Sequence, residues 1–226
     1  MREIVLDTET TGLNYMEGDR IIEVGCIELI NHVPTGKNLQ FYCSTDRKIG
    51  EDAVKIHGLT NEFLSKHSAL KVHLKVFFDF IKNDTLIIHN AEFDVGFINN
   101  ELKLIGAKPI TNRIIDTMLL ARKKLNTRIT NLDYLCRKFS IDLGSRKLHS
   151  SLLDCHLLAG VYLELLGGKQ TSLNLSEFKK NNPSPTNTPP TNNNNINKVK
   201  LTKEETQSHK EFVKGIKNAL WHKLDY

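Results

Sequence analysis

The sequence predicts an α/β domain built on a mixed sheet flanked by helices, and three observations point there. Ile4-Val5-Leu6 is a β-branched and aliphatic run that suits a strand buried on both faces. Arg20–Ile30 and Leu39–Cys43 are further strand-like runs, so the first three strands read as an antiparallel meander with the first at its centre. From residue 69 onward, short apolar runs alternate with stretches of helical period.

Taken in order, the first strand continues through Asp7-Thr8-Glu9 and turns at Thr10-Thr11-Gly12. Alternation puts Val5, Asp7 and Glu9 on one face, with Leu6 and Thr8 on the other. A Met16–Asp19 loop and a Val33–Gly36 turn are expected to separate the next two strands. Glu51–His57 reads as a short helix stopped by Gly58, and Thr60 as the cap of another brief turn. Leu70, Leu74, Phe77, Phe78 and Ile81 recur at helical spacing within Ala69–Lys82. Leu86-Ile87-Ile88 is a short buried strand, followed by a helix from Glu92 to Ile105 with Phe97, Ile98, Leu102 and Ile105 as its apolar stripe. Arg113–Asp116 is a strand that leads into a helix through Lys124, and Thr130 or Asn131 caps another to about Phe139. A polar loop, Ser145–Ser150, precedes a strongly periodic helix from Ser151 to Leu166, closed by Gly167-Gly168.

At 226 residues the chain holds one domain of ordinary size and a tail. No apolar run approaches the roughly 20 residues that span a bilayer, and the immediate strand at Met1 predicts no signal peptide. Cys26, Cys43, Cys136 and Cys155 form no C-x-x-C pair, which predicts a reduced, cytoplasmic setting. The net charge of +5 is uneven. Glu101–Leu148 carries 11 basic residues against 4 acidic ones, which suits phosphates at the rim of an acidic site or solvated helix faces.

Four acids stand where apolar residues are expected. Asp7 and Glu9 end a central strand, Asp94 lies on the stripe of Phe97 and Ile98, and Asp154 shares a face with Leu158, Val161 and Leu165. Each alone has an ordinary structural explanation, such as a helix-dipole partner or a solvated edge. Converging, they would repel one another and lose hydration unless a cation compensates, and adjacent carboxylates are hard ligands for Mg²⁺ or Mn²⁺. His149, just ahead of Asp154, is the side chain placed for proton transfer. Asp116 reads as a supporting group or helix cap, and Asp133 as helix-start electrostatics.

D-x-E-T-x-G, H-N-x-x-F-D and H-x-x-x-x-D, in that order over residues 1–175, resemble the three motifs of the DEDDh 3′–5′ exonuclease family. Within it the chain is most similar to the proofreading subunits of bacterial replicative DNA polymerases. The third motif departs from the family's usual Ala two residues after its His, with Ser151 in that place.

The resemblance implies a ribonuclease H-like fold with a mixed five-stranded sheet. It implies two Mg²⁺ or Mn²⁺ ions, about 4 Å apart, held chiefly by Asp7, Glu9 and Asp154, with Asp7 bridging and Asp94 acting through coordinated water. His149 would be the general base. Thr10, Thr11, Gly12 and Leu13, together with His57, would line the pocket for the 3′-terminal nucleotide of DNA, with Asp7, Glu9 and Asp154 at its phosphate. The same residues suit a DEDDh ribonuclease trimming RNA ends, and a non-catalytic bridging module is the other alternative. A D-x-D-x-T phosphatase does not fit, because Glu9 replaces the second Asp.

Residues 176–200 read as a disordered Asn/Pro/Thr-rich linker, since Asn181–Asn195 contains only Asn, Pro, Thr and Ser and cannot build a core. Thr202-x-x-Glu205 is a capping box at the start of an amphipathic helix over 201–226. Its stripe of Phe212, Val213, Ile216, Leu220 and Leu224, with Trp221 alongside, predicts docking on a partner. The resemblance names that partner as the catalytic (alpha) subunit of the polymerase. It also implies that Gln170, Leu173 and Leu175 form a sliding-clamp motif and allows for a small theta-like subunit.

Overall fold

The computed structural model describes residues 1–144, 148–168 and 202–216. The chain divides into two units, 1–173 and 174–226.

In the first unit, β1 (Arg2–Thr10), β2 (Ile21–Ile30) and β3 (Val33–Tyr42) form the expected antiparallel meander. The strands β4 (Thr85–Ile88) and β5 (Ile114–Asp116) add in parallel, giving a mixed sheet of order β3-β2-β1-β4-β5. Central β1 is buried on both faces because its alternate residues feed two cores. Ile4 and Leu6 pack with α3 (Leu70–Ile81) and α4 (Ala91–Leu104) through Phe77, Ile81, Phe97, Ile98 and Leu102. On the other face, Val5 and Ile87 pack with α5 (Thr117–Leu125), α6 (Leu132–Lys138) and α7 (Ser151–Leu165) through Ala121, Leu135, Leu158 and Val161. Each such side chain contributes about 1.5–3 kcal/mol on full burial.

Several local signals act as read. Gly58 closes α1 (Glu51–His57) in the left-handed region at φ 72°. The Thr60 side chain caps α2 (Asn61–Leu64), and Asn131 rather than Thr130 caps α6. Ile105 does not complete the α4 stripe; it lies beyond the helix end and is exposed. One turn was misplaced by the sequence pattern. The β2–β3 hairpin turns at Asn31-His32, both left-handed (φ 49° and 69°), and not at Val33–Gly36, which is strand. Asn tolerates that conformation, two such residues match the twist of a tight hairpin, and Pro34 is acceptable because β3 is an edge strand.

In the second unit, Thr202 and Glu205 form the expected capping box at the head of α8 (Lys203–Lys214). Gly215 stands at the C-cap of this helix, and residues 217–226 lie outside the described residues. Phe212 is 70% exposed and Ile216 is also exposed. Leu220, Leu224 and Trp221, the 176–200 linker and the Gln170, Leu173 and Leu175 motif lie outside the described residues. Among the described residues no helix is long and apolar enough to cross a membrane.

Candidate active site

The site lies where β1 outruns its parallel neighbour. β4 pairs with β1 only through Val5, so Asp7 and Glu9 project beyond the end of β4 into a crevice at the carboxyl ends of the strands. Open α/β sheets bind ligands at such places.

Four helix starts converge on that crevice. Asn90, left-handed at φ 66°, turns the chain sharply from β4 into α4. Asp116 caps α5 by accepting from the Met118 (2.7 Å) and Leu119 (3.3 Å) amides, and its other oxygen accepts from the Ala91 amide of α4 at 3.0 Å. It is thus the helix cap the sequence suggested, and it ties two helix starts together. Asn90, Met118, Asn131, Asp133 and Asp154, from the N-terminal ends of α4 to α7, line one cavity of about 390 Å³ with Asp7 and His149. Their partial positive ends favour anionic groups there.

The acids are held close and largely dry. Asp94 and Asp154 are 3% and 4% exposed. Asp94 reaches the site from the opposite face of the sheet to Asp7, and Thr8 Oγ1 donates a 2.7 Å hydrogen bond to its Oδ1. Burial pushes the Asp94 carboxyl up to about 7, against the pull of that bond. Burial, then the charges of Asp94, Glu9, Asp154 and Glu23, hold Asp7 well above the ordinary carboxylate range. His149 Nδ1 lies 3.3 Å from Asp154 Oδ2. Glu9, His149 and Asp154 can each offer a ligand atom with all three within 4.8 Å of one another. Hard oxygen donors that are mutually repelling and desolvated fit a divalent cation, whose charge would restore the ionised acids.

A second hollow, of about 430 Å³, adjoins the acids on the Glu9 side. Thr10, Thr11, Gly12, Leu13 and His57 line it, as the motif resemblance implied. His57 is buried, which lowers its pKa, and its Nε2 has no hydrogen-bond partner among the described residues. Sequence reasoning missed three contributors here. Phe93 and Ile56 supply apolar walls, and Asp52 a carboxylate at the rim. Phe93 stands inside the second motif, and its place there was the available signal. Also missed was Glu23, 1% exposed and paired across the β1–β2 ladder with Glu9. Glu23 is an acid inside the apolar run of β2, with no motif around it to mark it in the sequence.

The chain matches the Exonuclease family over residues 4–162. It is 44% identical over 226 residues to the DNA polymerase III subunit epsilon of Rickettsia felis, covering 96% of this chain and 97% of that protein. With the Haemophilus influenzae protein of the same name it is 37% identical over 243 residues, covering 98% and 95%. Among solved structures, the nuclease domain of 3′hExo, a DEDDh family member bound to rAMP, superposes with a TM-score of 0.65 at 18% identity over 73% of this chain and 91% of that one. Exonuclease X in complex with 5′ overhanging duplex DNA gives 0.58 at 21% identity over 73% and 90%. These two likenesses establish the fold.

Proposed function

The chain belongs to the exonuclease family, as a DEDDh 3′–5′ exonuclease of the kind that proofreads for a bacterial DNA polymerase, and from that premise we propose how its residues act. The observation that carries the proposal is the convergence of Asp7, Glu9, Asp94, Asp154 and His149 beside a hollow of nucleotide size.

Asp7, Glu9 and Asp154 would hold two divalent ions, Mg²⁺ or Mn²⁺, with Asp94 supporting them from the far side of β1. When bound, such a pair makes water nucleophilic near neutral pH and offsets charge developing on the phosphate. The terminal nucleoside enters the hollow against Phe93, Ile56 and Leu13, with Thr10, Thr11 and His57 Nε2 offering polar contacts. That seating places the scissile phosphate over the acids and presents its far side to His149. His149 takes the proton of the attacking water on its imidazole. The helix starts around the cavity orient the phosphate and exclude bulk water. The products are a deoxynucleoside monophosphate and a shortened strand.

The test is release of a mispaired 3′-terminal deoxynucleotide with and without Mg²⁺ or Mn²⁺, with single-stranded RNA as the competing substrate. Excision that survives chelation, or the Asp7→Ala substitution, would refute the mechanism. Faster trimming of RNA would favour the ribonuclease reading.

The tail supports a place in a bacterial, cytoplasmic replicase. The exposed Phe212 of α8, with Ile216, Leu220 and Trp221, would dock on the polymerase catalytic subunit, and Gln170, Leu173 and Leu175 on the sliding clamp. Deleting residues 198–226 should abolish capture of the catalytic subunit and leave excision intact. Trp221→Ala should weaken capture most among single tail substitutions.

A further inference from the structure

We propose that Glu23 and Ser150 are a positioning pair that fixes His149 over the acids, a role that none of the motifs' defining residues fills and that rests on the exonuclease reading above. Glu23 is 1% exposed, and among the described residues the side chains that donate to it are neutral. Its Oε1 accepts from Gln40 Nε2 at 2.7 Å and from Ser150 Oγ at 3.1 Å. A buried acid beside Asp7 and Glu9 adds like charge to the site, a cost that its hydrogen bonds must offset.

Ser150 shows what one of those bonds does. Its backbone is the N-cap of α7, at φ −147° and ψ 129°, and a serine there ordinarily accepts from the second or third amide of its helix. This one makes no side-chain cap bond; its hydroxyl is turned aside to Glu23 on β2. The residue just before it is His149. The same short segment is also held by the His149 amide donating to Ile56 O at 2.9 Å and by Ser151 packed on Gly25. At Gly25 an added Cβ would come within 2.5 Å of the Ser151 carbonyl carbon, so β2 and the start of α7 are in direct backbone contact. Ser150–Glu23 is the side-chain tether among the three, and it continues through Gln40 to edge strand β3. The bond pins the residue adjoining the base against the strand that pairs with β1.

The experiment measures steady-state excision of a mispaired 3′ nucleotide by the full chain in Mg²⁺, with thermal melting of each variant as the control for folding. Ser150→Ala should lower kcat about tenfold, the scale expected when a proton acceptor is displaced by a fraction of an ångström. KM and the Mg²⁺ concentration for half-maximal rate should stay put, and Ser150→Thr, which keeps the hydroxyl, should recover kcat. Glu23→Gln should also lower kcat, and the double variant should be no slower than the slower single one. In a His149→Ala background, Ser150→Ala should cost nothing further. A Ser150→Ala enzyme with full kcat overturns the proposal, as does an unchanged Glu23→Gln enzyme. So does an equal loss with His149 absent, which would place the effect on the acids. Failure of the exonuclease reading would show separately, as an unsubstituted chain with no metal-dependent excision.

Discussion

Thr8 and Asp94, 86 residues apart, are joined by a 2.7 Å hydrogen bond that passes from the central strand to the first turn of α4. The donor stabilises the ionised carboxylate, so its removal raises a pKa that burial has already pushed to about 7. Thr8→Val keeps the side-chain shape and deletes the donor. Stability should fall by about 1–3 kcal/mol. The acidic limb of the excision rate should move to higher pH, with a larger loss at pH 6.5 than at pH 8.5. A rate–pH profile on the variant decides this, and an unmoved limb would count against Asp94 working as a charged group.

Asp7 sits among Asp94, Glu9, Asp154 and Glu23, which all disfavour its charge. Asp7→Asn relieves that repulsion, so in chelator the variant should melt above the parent chain although it is inactive. With metal at a hundredfold its Kd, the parent should gain about 2.7 kcal/mol. The variant should gain little. Melting curves with and without Mn²⁺ measure both effects, and equal metal shifts in the two proteins would remove Asp7 from the ligand set.

Glu28 predicts an acid-sensitive component of stability far from the acids of the site. Bonds from Arg2 (2.5 Å) and Thr35 (2.8 Å) pull its carboxyl down to about 2, with Lys37 at 3.4 Å adding to the effect. A depressed folded pKa stabilises fully above the unfolded value, about 4.3, and that contribution is lost as pH falls through about 2. Glu28→Gln should therefore cost about 1 kcal/mol at pH 7, the exposed Lys37 side being screened by solvent. The cost should shrink steadily between pH 4.3 and 2, which urea melts of both proteins at three pH values would reveal.

The contact of β2 with α7 gives two substitutions of opposite sign. Ser151 is fully buried and its hydroxyl has no hydrogen-bond partner among the described residues. Ser151→Ala, the family's usual residue, should raise stability by about 1 kcal/mol and leave excision unchanged. Gly25→Ala would drive a methyl into the Ser151 and Leu152 backbone, which no rotamer change relieves. It should cost about 1–3 kcal/mol and lower kcat, since His149 and Asp154 both move with that helix start. Denaturant melts and excision rates on the two variants test the pair.

Much of this molecule is legible in one dimension because the relevant physics is local. Ile4-Val5-Leu6 had to be a buried strand, and Gly58, Thr60 and Glu205 acted within a few residues of themselves. The hairpin was misread because Val33-Pro34-Thr35-Gly36 has turn composition, while Asn31-His32 has the tolerance for positive φ that the turn needs. Glu23 went unnoticed because one acid in an apolar strand carries no motif, and only its cross-strand partner, Glu9, gives it meaning.

By itself the sequence determined the kinds of elements and the presence of four acids at positions that turn inward, with a histidine just ahead of the last of them. Only the tertiary structure decided that Asp94 comes to Asp7 from the opposite face of the sheet, that Glu23 joins them, and that Ser150 bonds to Glu23 instead of capping its helix. The reason is that side-chain periodicity is written in neighbouring residues. Desolvation and charge repulsion depend on groups up to 147 positions apart, such as Asp7 and Asp154, and exist only once the chain has closed around them.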